Sequence, residues 1–122
     1  MRQAGIIAAA GIYALEKNVE RLGEDHDNAK RLGEGLARIP GLEVDAESVE
    51  TNIVMARVRG AGAVGFSSDC RAEGVLFHAL GEDLLRFVTH LDVTAEDIEA
   101  AVRVVGQVQA ERPSITADRE PE

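Results

Sequence analysis

Aromatic residues are almost missing from this chain. It has no tryptophan, one tyrosine and three phenylalanines, 3% of its 122 residues. That scarcity disfavours an aromatic-rich β-sandwich, and the 45% of hydrophobic residues must build a core from Ala, Val, Leu and Ile, as helices packed on a sheet do. Positive charge is short as well: 13 Lys and Arg against 22 Asp and Glu leave a net charge of −9. No basic block offsets it, which argues against nucleic acid and anionic membrane surfaces as partners. Cys70 is the only cysteine, so no internal disulfide can form and a reducing, cytoplasmic setting is expected. A lone cysteine is more often a small hydrophobe than a catalytic thiol. His26, His78 and His90 are scattered, with no His-x-x-x-His or Cys-x-x-Cys spacing, so no metal site is expected. Gly33-Glu34-Gly35 lies in helical sequence without a third glycine at the required spacing and is no dinucleotide fingerprint. Lysine is confined to Lys17 and Lys30, both in charged helical surroundings, not in an apolar pocket that would prime an amine for imine chemistry.

What the chain does have is an apolar start. The run from Ala4 to Leu15 is too short for a membrane span, which needs about 20 residues. Arg2 followed by Gly5 to Leu15 imitates the charged and apolar regions of a signal peptide. Against that reading, Ile12, Leu15, Val19 and Leu22 continue one helical face without a cleavage site. The spacing predicts a long helix from about Gln3 to Leu22, apolar around most of its front half, with a bend or pause around Gly23 to Asn28. Helical spacing then resumes with Ala29, Leu32, Leu36 and Ile39 inward, until Pro40-Gly41 stops it.

Beyond that point the pattern changes period. Leu42 to Val44 and the β-branched Thr51 to Val58 read as strands, and Ala63 to Gly74 as a short helix. "VLFHAL" and "LLRFVTH" read as an antiparallel pair joined at Gly81-Glu82-Asp83. Thr94, three residues before Asp97, is the expected N-cap of a last helix with Ile98, Val102 and Val105 inward. The polar, Pro-containing end should be a disordered tail. The fold class is therefore α+β: a small, mostly antiparallel sheet with helices on one face, preceded by a long helix. Residues 1–40 are expected as a helical segment, 41–110 as the α+β domain and 111–122 as the tail. One small sheet cannot cover the front of the first helix, so part of it should stay exposed or drive self-association.

Arg86 is the residue that physical chemistry singles out. It sits between Leu85 and Phe87 in mid-strand, and a guanidinium fork can grip a carboxylate bidentately. The competing reading is an ordinary solvent-facing strand arginine. His90 could line a site or hydrogen-bond at a strand end with Asp92, and Asn52 could touch a ligand or cap a neighbouring backbone.

Three strings taken together, "MRQAGIIAAAGIYAL", "RLGEDHDNAKRL" and "LRFVTHLDVTAEDIE", with "TNIV" between them, resemble the C-terminal part of low-specificity L-threonine aldolases. These belong to the aspartate-aminotransferase-like, fold-type I class of enzymes that use pyridoxal 5′-phosphate. The resemblance covers about Met1 to Val105. It implies retro-aldol cleavage of threonine or allo-threonine to glycine and acetaldehyde, with the cofactor as electron sink, and a homotetramer. It implies that Arg86 holds the substrate α-carboxylate and that Arg2 approaches the cofactor phosphate across a subunit interface. Asn52 and His90 match family positions without an assigned role. The imine-forming lysine, the glycine-rich stretch, the histidine that stacks on the cofactor ring and the aspartate at its nitrogen all precede the Met-Arg-Gln motif in the family. This chain, starting inside that motif, is expected to hold the small C-terminal domain without the large one, and to be inactive alone. Two other readings remain: a free-standing carboxylate-binding or interaction module derived from that domain, and part of a related β-eliminating lyase.

Overall fold

The computed structural model describes residues 1–60 and 62–113. Helices α1 (Gly5–Lys17) and α2 (Leu22–Ala37) open the chain, followed by strands β1 (Leu42–Glu43) and β2 (Ile53–Val58) with a short 3-10 turn at Ala46–Ser48 between them. Helix α3 (Ala63–Ala72), the hairpin of β3 (His78–Leu80) and β4 (Leu84–Val88), and helix α4 (Ala95–Glu111) complete it. The four strands lie in the order β1-β2-β4-β3, and every neighbouring pair is antiparallel. β4 thus slots between β2 and β3, and α3 carries the chain across it.

Strand alternation decides what faces what. In β2, Val54, Ala56 and Val58 are buried while Ile53, Met55 and Arg57 are not; in β4, Leu85 and Phe87 are buried. Successive side chains of a strand point to opposite faces, so these residues form the inner face. Helices α2 and α4 pack there through Ala29, Leu32, Leu36, Ile98 and Val105, with Phe66 and Cys70 of α3 in the same cluster. The opposite face stays open, with Ile53, Met55, Leu80 and Val88 each 39–42% exposed.

The scarce aromatics are concentrated here. Phe66 is fully buried, its ring centroid 5.9 Å from that of Phe77, which lies 4.2 Å from that of Phe87. All three phenylalanines therefore link α3 to β4 at the middle of a core otherwise made of aliphatic side chains. The Gly33-Glu34-Gly35 stretch has a packing explanation too. A Cβ on Gly35 would lie 2.7 Å from Val102 Cγ2, so glycine lets α4 come close to α2. At Gly41, φ is +90° and a Cβ would collide with the Gln109 amide, so the turn after Pro40 also requires glycine.

One expectation is corrected. The first helix does not run to Leu22: it ends at Lys17, and Asn18 to Arg21 form a turn before α2 starts at Leu22. The bend falls before Gly23, because the Gly23–Asn28 stretch is held in helix by its contacts. Among them, Asp25, Asn28 and Ala29 are all buried. Within the helical residues 1–40, α2 is part of the core, whereas α1 buries no residue among the described ones. Most of the expected tail, 114–122, lies outside the described residues; Glu111 closes α4, and the Arg112 guanidinium sits 5.0 Å above the Phe66 ring centroid.

The N-terminus of α4 is capped as the sequence predicts. Thr94 Oγ1 accepts from the Asp97 N–H at 3.2 Å, and Asp97 Oδ2 accepts from the Thr94 N–H at 2.9 Å. These bonds to the Thr94 backbone and hydroxyl hold the Asp97 carboxyl below its ordinary range. Its contribution to stability is therefore complete above the unfolded carboxylate pKa and is lost as pH falls through the lower, folded value. Thr94→Ala is expected to lower unfolding free energy by about 1 kcal/mol, read from urea denaturation at neutral pH. An unchanged midpoint would mean that the box contributes nothing to stability.

Candidate functional site

Arg86 stands in the middle of the open sheet face. In register, Met55 of β2 lies directly opposite it on one side and His78 of β3 on the other, and directly opposed residues in an antiparallel pair share a face. Arg86 is half-buried. Its Nε is shielded from solvent and, among the described residues, has no acceptor. A buried donor without a partner carries a desolvation cost, which an incoming anion would relieve. The other charged groups on this face are already paired: Arg57 Nη1 donates to Asp83 Oδ2 at 2.7 Å, and Arg59 Nε to Glu43 Oε1 at 2.8 Å.

The remaining candidates do not converge on Arg86. Arg2 is exposed on the arm that precedes α1. Asn52 Nδ2 donates to the Thr89 carbonyl at 2.8 Å, and the Thr89 N–H donates to the Asn52 carbonyl at 2.9 Å. That is the backbone-capping alternative, and it ties the start of β2 to the end of β4. His90 is exposed, with Nδ1 accepting from the Asp92 N–H at 3.3 Å, the strand-end role weighed for it. His90 also borders a cleft of about 450 Å³ between β4 and α4, shared with Glu73, Thr89 and Asp97. Arg86 does not line that cleft.

A set of polar ties that sequence reasoning missed fixes this end of the sheet. Thr89 is fully buried and its Oγ1 donates to the Asp25 carbonyl at 2.7 Å. Asn28 Nδ2 donates to the Val93 carbonyl at 3.2 Å. Arg21 in turn holds the buried Asp25 carboxylate through two bonds of 3.2 and 3.3 Å. Together they lock the loop after β4 onto α2. The only signal in the sequence is the four-residue spacing of Arg21 and Asp25, which marks neighbours on a helix but not their burial.

Cys70 is fully buried in α3, and burial, reinforced by the charge of Asp69, pushes its thiol up to about 11. It is a protonated core residue and no nucleophile. Among the described residues, no cluster of His, Cys, Asp and Glu could hold a metal ion, and no helix is long and apolar enough to cross a membrane.

An α+β domain that presents an arginine on an open sheet face, preceded by an apolar helix that buries no residue among the described ones, can be compared with known proteins. The profile of the beta-eliminating lyase family matches residues 1–61, and the chain belongs to that family. It is 46% identical over 98 residues to the low specificity L-threonine aldolase of Escherichia coli K12, covering 80% of this chain and 28% of that protein. A probable low-specificity L-threonine aldolase of Arabidopsis thaliana is 36% identical over 102 residues, covering 81% of this chain and 29% of that protein. The chain thus spans less than a third of the length of these relatives. In fold it is similar to 8-amino-7-oxononanoate synthase from Francisella tularensis, with a TM-score of 0.62 at 17% identity over 82% of this chain and 30% of that one. MppP, solved with the product 2-ketoarginine, gives the same TM-score at 14% identity over 79% of this chain and 30% of that one.

Proposed function

We propose that this chain is the C-terminal portion of a pyridoxal-phosphate-dependent L-threonine aldolase, one that cleaves threonine or allo-threonine to glycine and acetaldehyde. In this reading Arg86 grips the α-carboxylate of the amino-acid substrate. Arg2 contributes charge to the cofactor phosphate from across a subunit interface, in a homotetramer that covers α1. The observation that carries the reading is the 46% identity over four-fifths of the chain, joined to an arginine whose buried Nε–H has no acceptor among the described residues.

The described residues do not make a seat for the cofactor by themselves. Lys17 and Lys30 are both exposed on helices, and neither lies in an apolar recess that would free its amine to form an imine. No step of the reaction is therefore assigned to this chain beyond binding. Arg86 would fix the carboxylate and so orient the bond to be broken, a contribution that rests on positioning and not on proton transfer. A polypeptide of these 122 residues, mixed with pyridoxal phosphate and L-threonine, is expected to release no acetaldehyde above the protein-free background. Turnover at enzymatic rates would overturn the proposal that the chain supplies only part of the site.

A further inference from the structure

We propose that His78 is a second contact to the carboxylate held by Arg86, and so a specificity-determining residue of the same site. The inference rests on the carboxylate reading of Arg86 and goes one residue further.

The argument begins with the register. His78 of β3 is directly opposite Arg86 of β4, and directly opposed side chains have Cβ atoms roughly 5 Å apart on one face of the sheet. The alternation of β3 agrees: Ala79 packs toward the core while His78 and Leu80 are exposed. His78 therefore stands beside Arg86 on the open face.

The surroundings then narrow what the pair can do. The face is otherwise apolar at Ile53, Met55, Leu80 and Val88. Its remaining charges are matched, Arg57 with Asp83 and Glu43 with Arg59. Among the described residues, Arg86 Nε and the His78 ring have no hydrogen-bond partner. Where the imidazole is protonated, an arginine and a histidine placed opposite each other offer only N–H donors with no acceptor between them, and their like charges repel. An anion seated between the two reverses both penalties. A planar carboxylate fits the guanidinium fork and leaves one oxygen on the β3 side for the imidazole N–H. On the β2 side Met55 presents only apolar surface and no donor. The two carboxylate oxygens would thus be held unequally, which fixes the direction in which the rest of the ligand leaves the sheet.

Sodium acetate titrated into the full chain, against sodium chloride at equal ionic strength, tests this with the backbone amide resonances of β3 and β4 as readout. The wild-type chain is expected to show a saturable shift, abolished in Arg86→Leu. His78→Leu should weaken binding about three- to tenfold, while His78→Gln, which keeps an N–H donor, should restore most of the loss. Because His78 is exposed, the remaining amide resonances of its variants should stay in place. If His78→Leu binds acetate as tightly as wild type while Arg86→Leu does not bind, the His78 inference fails and the carboxylate reading of Arg86 stands. Absence of a saturable shift in the wild type overturns both.

Discussion

Phe66→Ala should cost about 3–5 kcal/mol of unfolding free energy, a large share of the total stability of a domain, which is of the order of 5–15 kcal/mol. The reason is position, not merely size. Phe66 is fully buried, touches Phe77 through a tilted ring pair, and lies beneath the Arg112 guanidinium. Phe77 in turn stacks near Phe87 on β4. Truncation therefore leaves a cavity at the junction of α3, α4 and the sheet, where rigid backbone elements on several sides prevent collapse into the space. The neighbouring Val64 is 69% exposed on the same helix, and Val64→Ala should change stability by no more than about 0.5 kcal/mol. Urea denaturation of the two variants separates a packing effect from the gain in helix propensity that both substitutions to alanine share. Similar midpoints for both would show that the aromatic trio is not the centre of the core.

The second large effect concerns α1. Ile6, Ile7, Ile12, Tyr13 and Leu15 are between 58% and 86% exposed, and the helix buries none of its residues against the other described residues. Full burial of one such aliphatic side chain is worth about 1.5–3 kcal/mol. A symmetric dimer that buries four or five of them from each copy gains about 12–30 kcal/mol gross, which can exceed the roughly 8 kcal/mol of micromolar affinity after an association cost of about 4–15 kcal/mol. The 122-residue chain is accordingly expected to associate with itself at micromolar concentration. Replacing Ile6, Ile12 and Leu15 together by lysine should return it to a monomer with its core unchanged, as those side chains contact no core residue. Sedimentation equilibrium decides the matter, and a wild-type chain that sediments as a monomer would remove the case for α1 as an association element.

Much of the architecture was legible because it depends on neighbours along the chain. The inward positions Ala29, Leu32 and Leu36 of α2 and Ile39 just past its end, the hairpin at Gly81, and the Thr94–Asp97 cap are all found where helical spacing, turn chemistry and capping put them. The same rules erred at the first helix. Ile12, Leu15, Val19 and Leu22 keep helical spacing across a break at Asn18 to Arg21, because periodicity records which residues are apolar and not whether the backbone between them continues. Composition also misled in one respect: few aromatics suggested a purely aliphatic core, whereas three phenylalanines meet at its centre.

At the candidate site, chemistry in the sequence identified Arg86, since a guanidinium in an apolar strand is conspicuous on residue type alone. Asn52 and His90 were named for the same kind of reason, and the structure gives each a backbone partner at the end of the sheet. The sequence by itself thus determined the order of helices and strands, the inward faces, the cap of α4, the family and the arginine. Only the tertiary structure decided that His78 stands opposite that arginine and that Thr89 and Asn28 fasten the loop after β4 to α2. Periodicity, capping and turn preference act over a few residues and can be read in order. Cross-strand register and burial arise only when distant segments close on one another, and no local pattern specifies which residue will then stand across from which.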